Sequence, residues 1–453
     1  MAKNTAKWWA GIDVGGTNVA AVVSSSAGVV AARGKASTPQ DEGPEGVVRT
    51  IVAVLNDTLD KAGVNPSDLA GIGLAVPASV ERETGRVFFA PNTPIEGLKV
   101  VPAMKKHFDV PVAVGNDVDM GVLGEHWLGA ARNCRSAIGL FIGTGIGGGI
   151  VLENQLVWGR RGTTAELGHM VMQLGGPRCG CGESGCFEAL ASRTAMERDI
   201  RMRIRSGEES ILSDMLKKKS DRIRSKMLRK ALRAKDKVVS DVMRHASDVI
   251  AQACLNFRHM LDPEVIVLGG GVLEACETFM MPRIEKRLAK DTLGDPAAGA
   301  KVLISSLGDD AVALGAVALA QQAGGRNPHR QKPALREYPK VNLGDNGLTI
   351  GGESFEIDAY VRVDGKSKLR KNLKKKNAAS KVIDVRLARK ICKAGPEVWI
   401  VGSHKSRPLK LGPGVENWLA HHRIELRAMN LKAAVGAYNA LRARKALLLQ
   451  MPV

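Results

Sequence analysis

Residues 137–152 of the chain are Ala-Ile-Gly-Leu-Phe-Ile-Gly-Thr-Gly-Ile-Gly-Gly-Gly-Ile-Val-Leu. The apolar run Ala137–Ile142 predicts a buried strand, and a second strand is predicted from Ile150. The connecting stretch, Gly143–Gly149, holds five glycines and a threonine. Because glycine has no Cβ, such a loop can turn tightly and lay backbone N–H groups against a phosphate. The stretch therefore predicts a hairpin whose loop binds a phosphorylated ligand.

The beginning of the chain carries a second hairpin of this design. Trp8–Val14 and Val19–Ser24 predict two strands joined by the turn Gly15–Asn18, which is Gly-Gly-Thr-Asn. Taken alone, this turn favours an ordinary hairpin, although Asp13 beside it is well placed for the magnesium ion of a bound phosphate. Two such hairpins in one chain predict two duplicated halves that face a common cleft, each offering a loop to one end of a polyphosphate.

An acidic residue lies between the two hairpins in the sequence. Val110–Val114 predicts a strand that delivers Asn116 and Asp117 at its carboxyl end, and a helix follows through Trp127. An aspartate at the end of a strand is often only the N-cap of the next helix. With a glycine loop on either side in the chain, Asp117 is also predicted to lie where the terminal phosphate meets an acceptor.

A compact set of metal-binding side chains follows the second hairpin. Three of the seven cysteines fall within eight positions, and a histidine precedes them by ten. The set is His169, Cys179, Cys181 and Cys186. Three thiolates and an imidazole are typical of a tetrahedral structural zinc site, and the alternative is a disulfide with a spare thiol. Carboxylates at both ends of the stretch, Glu166 and Glu188, indicate that it also holds a ligand.

The bulk properties predict a soluble cytoplasmic protein of two or three domains. The chain has 453 residues and a net charge of +20, but the part from Arg326 onwards contributes +17 and the first 325 residues only +3. No signal peptide and no membrane-spanning run are predicted, and the remaining cysteines are expected to be reduced core residues. Binding to polyanions such as nucleic acid is therefore not the leading hypothesis for the function of the first 325 residues.

Other segments predict the frame around these motifs. Residues 189–262 are predicted to be helical, and Glu264–Leu268 predicts a strand that runs into Gly269–Gly271, where backbone could approach a flat ligand such as adenine. The Ala-rich segment Ala311–Gln322 predicts a helix suited to close packing. A polar linker at 324–344 is expected before a separate small α/β unit, in which Val382–Cys392 predicts a helix and Phe355–Val363 a strand.

In this order, the motifs resemble those of the ROK family of sugar kinases and repressors over roughly residues 8–323. The segments that carry the resemblance are Asp13–Asn18, Pro91-Asn92, Gly115–Asp117, Gly143–Gly149, Glu166–His169, Cys179–Glu188 and Leu268–Gly271. The resemblance implies an α/β, actin-like ATPase fold of the ribonuclease H type with two duplicated lobes and ATP between them. Within a kinase part at 1–323, the lobes are expected at roughly 1–115, with a returning C-terminal helix, and at 116–300.

The resemblance also implies roles for the matching residues. Asp117 is expected to be the general base that takes the proton of the sugar hydroxyl. The residues expected to hold sugar hydroxyls are Asn92, Asn116, Asp117, Glu166, His169 and Glu188. The residues expected to bind ATP and Mg²⁺ are Asp13, Gly15, Gly16, Thr17, Asn18, Gly143, Thr144, Gly145, Gly147, Gly148, Gly269, Gly270 and Gly271. Zn²⁺ is expected on His169, Cys179, Cys181 and Cys186, with one nitrogen of His169 left to face the sugar.

The choice of sugar is less defined than the reaction. Family kinases with this zinc motif phosphorylate glucose, fructose, mannose, N-acetylglucosamine or N-acetylmannosamine. We expect glucose, because an aldohexose with a free 2-hydroxyl matches the full set of polar residues. The chain departs from the family's usual Pro-Gly at Val76-Pro77-Ala78, near the expected sugar pocket, which leaves the hexose open. The donor could be ATP or polyphosphate, and a homo-oligomer is expected because members are commonly dimers or tetramers.

The tail, about 345–453, resembles the Mth938-like domain family at Leu348–Asp358, Pro396–Gly402 and Ala433–Leu441. Its positive charge is compatible with RNA or an anionic surface, but the scarcity of aromatic residues favours a solvated basic face. A sugar-sensing repressor or a nucleic-acid-associated protein is the alternative of another class. A repressor would need a helix-turn-helix ahead of the kinase core, and none is expected because the first phosphate turn begins at Asp13. We therefore expect an ATP-dependent hexokinase.

Overall fold

The computed structural model describes residues 8–90, 93–214, 222–293, 299–328, 338–344, 347–355, 358–363, 365–369, 382–393, 395–404 and 408–451. Contacts between Cα atoms divide the chain into two compact units. The first comprises Met1–Ser305 and Ala311–Gln331, and the second comprises Ser306–Asp310 and Lys332–Val453. Much of the predicted linker, 329–337, lies outside the described residues, and a strand occupies its end.

The first unit begins with a five-stranded sheet in the order β3-β2-β1-β4-β7. The strands β1, β2 and β3 are antiparallel, whereas β1, β4 and β7 are parallel. The elements are β1 (Trp8–Val14), β2 (Asn18–Ser25), β3 (Val30–Ser37), α1 (Gly43–Ala62), β4 (Leu69–Val76), β5 (Ser79–Val80), β6 (Val87–Phe89), α2 (Val100–Lys105), β7 (Val112–Asn116) and α3 (Asp117–Trp127). The predicted first hairpin is confirmed, and the sequence analysis missed β3.

A second sheet in the same unit repeats this arrangement with the order β10-β9-β8-β11-β12. Its first three strands are again antiparallel, and β8, β11 and β12 are parallel. The elements are β8 (Ala137–Ile142), β9 (Ile146–Leu152), β10 (Gln155–Leu156), α4 (Phe187–Ala191), α5 (Arg193–Arg205), α6 (Ser225–Arg233), α7 (Lys237–Leu261), β11 (Val265–Gly269), α8 (Gly271–Leu288) and β12 (Lys301–Ile304). The prediction of two duplicated halves is therefore confirmed.

The helix α9 (Ala311–Ala323) packs against the first sheet and against α3. Glycines make this approach possible. A Cβ atom on Gly11 of β1 or Gly73 of β4 would lie within 2 Å of a carbonyl oxygen of α9, and the same is true of Gly315 in α9 against Met120 O of α3. The predicted close packing of the Ala-rich segment is confirmed, and the helix that carries Asp117 is fixed to the first sheet through it.

The second unit contains a five-stranded sheet in the order β17-β16-β22-β19-β21 and a three-stranded sheet, β13-β14-β15. Its elements are β13 (Val341–Gly344), β14 (Gly347–Ile350), β15 (Glu353–Phe355), β16 (Ala359–Val361), β17 (Ser367–Leu369), β18 (Val382–Ile383), α10 (Val385–Ile391), β19 (Val398–Ser403), β20 (Lys410–Leu411), α11 (Val415–His421), β21 (Glu425–Asn430), α12 (Leu431–Ala440) and β22 (Lys445–Gln450). Two predictions were partly wrong. The helix begins only at Val385, because Val382–Ile383 pairs with β20, and Phe355–Val363 is not one strand, since β15 and β16 belong to different sheets.

Two global predictions can be compared with these elements. Each of the seven cysteines is a free thiol, and Cys134, Cys254, Cys276 and Cys392 are buried as expected. None of the helices in the described part of the chain is both long and apolar enough to cross a bilayer.

Candidate active site

The predicted ligand-binding residues lie at the carboxyl ends of parallel strands. In the first sheet, Asp13 is near the end of β1 and Asn116 ends β7. In the second sheet, Gly143 follows β8, and the run Gly269–Gly271 ends β11 and begins α8. This edge is where open α/β sheets generally bind ligands, because the loops there are free to vary while the strands fix their starting points.

The start of α3 fixes Asp117. Asn116 is the N-cap of the helix, and its side-chain oxygen accepts hydrogen bonds from Val118 N at 2.8 Å and Asp119 N at 3.3 Å. Asp117 is thus the first helical residue rather than the cap, and its Oδ1 accepts from Val118 N at 2.9 Å. Burial, opposed by that hydrogen bond and reinforced by the charge of Glu166, raises the pKa of Asp117 to about 6.

Asp13 is a second partly buried acid close to Asp117. Burial and then the charge of Asp117 raise the pKa of Asp13 to about 6, and Lys35 acts in the opposite direction. Lys35 is aligned with Asp13 across the sheet, since Asp13 pairs with Ala20 and Ala20 with Lys35. Burial and the charge of Asp117 disfavour ionisation of Asp13, so this pair of carboxylates creates a demand for a cation, and oxygen ligands are those that Mg²⁺ prefers. The residues present therefore fit a magnesium ion held with a nucleotide.

A third acid, Asp119, was missed by the sequence analysis. Burial, together with the charges of Glu166 and Asp117, raises the pKa of Asp119 to about 8. Its Oδ1 is buried without a hydrogen-bond partner among the described residues, and a Cβ atom at Gly149 of β9 would lie 3.2 Å from it. The available signal was the spacing of Asp117 and Asp119, but acids in the first turn of a helix usually face water.

Other residues that were predicted to bind the sugar lie near these acids. The carboxylate of Glu166 is close enough to raise the pKa of Asp117, and its Oε2 lies 4.0 Å from His169 Nε2. Both side chains are partly exposed. The amide nitrogen of Asn116 donates to Ala78 O at 3.4 Å, which brings the departure from the family's Pro-Gly motif next to this group. Asn92 lies outside the described residues.

The four predicted metal ligands converge. One donor atom of each residue lies within 4.8 Å of the others. Cys181 Sγ is 3.7 Å from Cys186 Sγ, and Cys179 Sγ is 3.6 Å from His169 Nδ1. Tetrahedral zinc with Zn–S of about 2.3 Å and Zn–N of about 2.0 Å separates ligand atoms by about 3.5–3.8 Å. The donor set therefore fits zinc, and these two pairs have the separation that zinc requires. The disulfide alternative is not supported, because all of these cysteines are free.

The second glycine loop is held by residues that follow the metal ligands. Glu188 Oε2 accepts a hydrogen bond from Ile146 N at 2.8 Å. Thr194 Oγ1 donates to Thr144 O at 2.8 Å, and the guanidinium of Arg193 donates to Thr144 Oγ1. Arg193 and Thr194 were predicted only as part of the helical region 189–262, and neither contact was expected.

The first glycine loop is held by the segment that follows β3. Gly15 N donates to Asn18 O at 2.9 Å, which closes the loop. Thr38 Oγ1 donates to Gly15 O at 2.6 Å, Thr38 N donates to Thr17 O at 3.0 Å, and the side-chain amide of Gln40 donates to Gly16 O. The loop backbone is therefore fixed before any ligand binds.

The third glycine segment lies beside the second loop. Gly270 has a φ of 90°, and a Cβ atom on it would lie 2.5 Å from Ile142 O, immediately before Gly143. Only glycine fits both the left-handed backbone and this approach. The structure thus brings the predicted residues into one series of neighbours, which runs from Asp13 through Asp117, Glu166 and the metal ligands to Glu188 and the second loop.

Comparison with known proteins gives a consistent result. The model of the ROK family matches residues 9–323. The chain is 32% identical to a glucokinase of Halalkalibacterium halodurans over 317 residues, which are 70% of this chain and 96% of that protein. It is 26% identical to a xylose repressor of Caldicellulosiruptor bescii over 309 residues, 68% of this chain and 77% of that one.

A solved structure also resembles the chain. The crystal structure of a ROK family glucokinase from Streptomyces griseus in complex with glucose and AMPPNP is 30% identical to it, with a TM-score of 0.59. The match covers 70% of this chain and 99% of that one. Together with the duplicated sheets, this similarity confirms the predicted actin-like ATPase fold.

Proposed function

Because the chain belongs to the ROK family, we propose that it is a sugar kinase that transfers the γ-phosphoryl group of ATP to a hexose, with glucose as the preferred acceptor and glucose 6-phosphate as the product. One observation carries the proposal. Asp117 is a partly buried acid with a pKa of about 6, close to both Asp13 and Glu166, at the carboxyl edge of the parallel strands of the first sheet. Its neighbours are those that a proton acceptor between a magnesium nucleotide and a sugar requires.

In the proposed reaction, Asp117 accepts the proton of the attacking sugar hydroxyl as the phosphoryl group arrives. A pKa of about 6 suits this role, because the carboxyl group is mostly ionised at neutral pH yet more basic than an ordinary aspartate. The transition state of phosphoryl transfer is loose, so catalysis depends mainly on positioning and on neutralising charge.

In this proposal, backbone N–H groups and a magnesium ion together bind the phosphates of the nucleotide. Asp13 would hold Mg²⁺, which supplies charge neutralisation when it is bound with ATP. The loops Gly15–Asn18 and Gly143–Gly148 would direct N–H groups at the phosphates, and Gly269–Gly271 would flank the adenosine. The AMPPNP complex of the Streptomyces griseus glucokinase supports ATP as the donor.

Sugar recognition is assigned to side chains that accept hydrogen bonds from hydroxyl groups. The proposed set is Asn92, Asn116, Asp117, Glu166, His169 and Glu188. A site built to pair with each hydroxyl rejects sugars that lack one, because buried polar groups would then stay unpaired. The presence of glucokinases among the similar proteins supports our choice of glucose rather than fructose, mannose or an N-acetylhexosamine as the acceptor. A panel of these hexoses with ATP and Mg²⁺, coupled to ADP release, tests that choice.

Zinc is proposed as a structural ion on His169, Cys179, Cys181 and Cys186. It would hold His169 through Nδ1, the nitrogen next to Cys179 Sγ, and leave Nε2 facing the sugar side near Glu166. In this arrangement the cluster fixes one wall of the sugar pocket. The alternative function, a sugar-responsive repressor, is supported by the similarity to the xylose repressor, and sugar-dependent ATP consumption distinguishes the two.

The substitution Asp117→Asn tests the proposed reaction directly. We expect sugar-dependent ADP release to fall by about 10³-fold or more, because the proton acceptor is lost while the shape is kept. Wild-type kcat/KM is expected to fall about tenfold per pH unit below a pKa of about 6, since only ionised Asp117 accepts a proton. The matched control is Asp109→Asn, because Asp109 is an exposed aspartate just before β7, the strand that leads to Asp117. This variant should retain full activity. Undiminished turnover of Asp117→Asn would contradict the proposal.

A further inference from the structure

The short helix α4 connects the metal ligands to the second glycine loop. Cys186 is its N-cap residue, so a metal ion bound to Cys186 fixes the beginning of the helix. Phe187 N donates to Met170 O at 2.8 Å, which ties the same end to the segment after His169. The helix ends at Ala191, and Ser192 caps α5 by accepting a hydrogen bond from Ala195 N at 3.1 Å.

Glu188 occupies the middle of this connection. Its Oε2 accepts a hydrogen bond from Ile146 N at 2.8 Å, and its Oε1 lies 3.8 Å from Cys179 Sγ. A Cβ atom at Gly145 would lie only 2.2 Å from Oε2. The loop therefore has a glycine where the carboxylate packs, and the same carboxylate touches the metal-binding cluster on its other side.

The far end of the connection also contacts the loop. Arg193 N donates to Gly143 O at 3.0 Å, and Thr194 Oγ1 donates to Thr144 O at 2.8 Å. Residues 186–194 thus begin at a proposed metal ligand, and together they contact each position of the loop from Gly143 to Ile146. A loop rich in glycine loses more conformational entropy on ordering than any other loop. Contacts that order the loop in advance therefore reduce the entropy that is lost when the nucleotide binds.

We propose that Glu188 and the helix α4 couple metal binding at His169, Cys179, Cys181 and Cys186 to nucleotide binding at the second glycine loop. This inference rests on the proposed function. A metal ion on Cys179 and Cys186 would fix the cluster against which Glu188 Oε1 lies and the residue at which α4 begins, so the Glu188 carboxylate would stay in place to accept the hydrogen bond from Ile146 N. Without metal, neither the cluster nor the start of α4 is fixed, and this hydrogen bond is weakened. Glu188 is thereby a positioning residue for the phosphates, in addition to its proposed contact with the sugar.

Calorimetry with Mg²⁺–AMPPNP and no sugar tests the coupling on the full chain. We expect removal of the metal with a chelator to weaken AMPPNP binding about tenfold, the loss expected from one hydrogen bond to a charged group. The variant Glu188→Ala should bind AMPPNP about tenfold more weakly even with metal, and chelation should then change its affinity little. Glu183→Ala removes an exposed carboxylate of the same metal-binding stretch and should behave as the wild type.

Two further measurements separate coupling from general damage. Metal content and the far-ultraviolet circular dichroism of each variant show whether the cluster and the fold persist. Glu188→Gln keeps an acceptor for Ile146 N, so it should retain most of the affinity and of the response to chelation. Equal AMPPNP affinity with and without metal in the wild type, or an undiminished response in Glu188→Ala, would overturn the coupling alone. A loaded wild-type protein that does not bind AMPPNP would overturn the proposed function together with the coupling.

Discussion

The two glycine hairpins occupy equivalent places in two sheets of the same strand order, but their loops are held by different means. The first loop, Gly15–Asn18, is fixed from within its own lobe. Thr38 and Gln40, the residues just after β3, donate from a hydroxyl and an amide to its carbonyl oxygens. These groups are neutral, and they are joined to the loop through two antiparallel strands, so little else in the chain can alter them.

The second loop, Gly143–Gly145, is fixed from outside its sheet. The groups that hold it come from α4 and α5, and they include the carboxylate of Glu188 and the guanidinium of Arg193. Hydrogen bonds to charged groups are stronger than neutral ones, and these groups follow the segment that carries the proposed metal ligands. The two similar loops therefore differ in their support: the first is held by residues of its own sheet region, and the second by side chains of α4 and α5.

The largest difference between the hairpins is the acid at the end of the first. Asp13 is the last residue but one of β1, and the equivalent residue of β8 is Phe141, which packs against Gly121 and Gly269. Of these two equivalent positions, only the one in the first hairpin carries a carboxylate that can bind a cation. We expect Asp13→Asn to lower kcat about 10²–10³-fold, since the charge that holds Mg²⁺ beside the phosphates is lost.

The rate of ADP release at saturating glucose over a range of Mg²⁺ concentrations measures the effect of Asp13→Asn. Asp41→Asn, an exposed acid in the same lobe, is the control. The assignment fails if both variants keep the wild-type rate.

Arg193 gives the next largest effect and belongs to the second loop. Removing its guanidinium takes away the donor to Thr144 Oγ1, whereas its backbone contact with Gly143 O stays. We expect Arg193→Ala to raise the KM for ATP about three- to tenfold and to leave the KM for the sugar unchanged, because the side chain is partly exposed and part of its contribution is screened. Steady-state kinetics with each substrate varied measures both constants.

The control for Arg193 lies on the same helix. Arg198 is bound to Asp199 and to Ala189 O, away from the loop, so Arg198→Ala should leave both constants unchanged. A rise in the sugar KM alone would show that Arg193 acts on the pocket wall rather than on the phosphate loop.

Local patterns predicted the elements that bury a continuous apolar run. Both hairpins, the helix at Asp117 and the Ala-rich α9 follow from such runs, but the loop of the second hairpin is shorter than predicted, since β9 begins at Ile146 rather than at Ile150. The pattern failed at edge strands, since β3 alternates buried and exposed residues around Arg33 and Lys35, and it failed for the run Ala446–Leu449, which lies in a central strand of the second unit. A short apolar run of this kind fits a helix and a strand equally well without its partners.

The missed site residues were missed for a different reason. Asp119 is buried because Gly149, thirty residues later in the chain, leaves room for it, and Arg193 is placed by a contact with Thr144, 49 residues earlier. Neither distance is visible in a local pattern. The convergence of His169, Cys179, Cys181 and Cys186 was predictable because these residues are close in sequence and are of the types that a tetrahedral zinc site uses.

Thr38 gives the smallest expected effect and isolates the first loop. Its hydroxyl is nearly buried and donates to Gly15 O at 2.6 Å, while its backbone N–H donates to Thr17 O and is kept in Thr38→Val. Val has the shape of Thr without the donor, so the substitution removes one neutral hydrogen bond, a loss of about 1 kcal/mol. We expect at most a fivefold weaker binding of AMPPNP, measured by calorimetry, because the loop is also held by Gln40 and by the closing hydrogen bond from Gly15 N to Asn18 O.

The control for Thr38→Val is Ser37→Ala, a substitution at the exposed neighbour of Thr38 in β3, which should have no effect. The Thr38 hydroxyl is remote from the metal cluster in sequence and is bound only to its own lobe. The loss of AMPPNP affinity in Thr38→Val should therefore be the same with and without metal. A loss that grows on chelation would show that the first loop is coupled to the metal as well, and the contrast between the two hairpins would then be wrong.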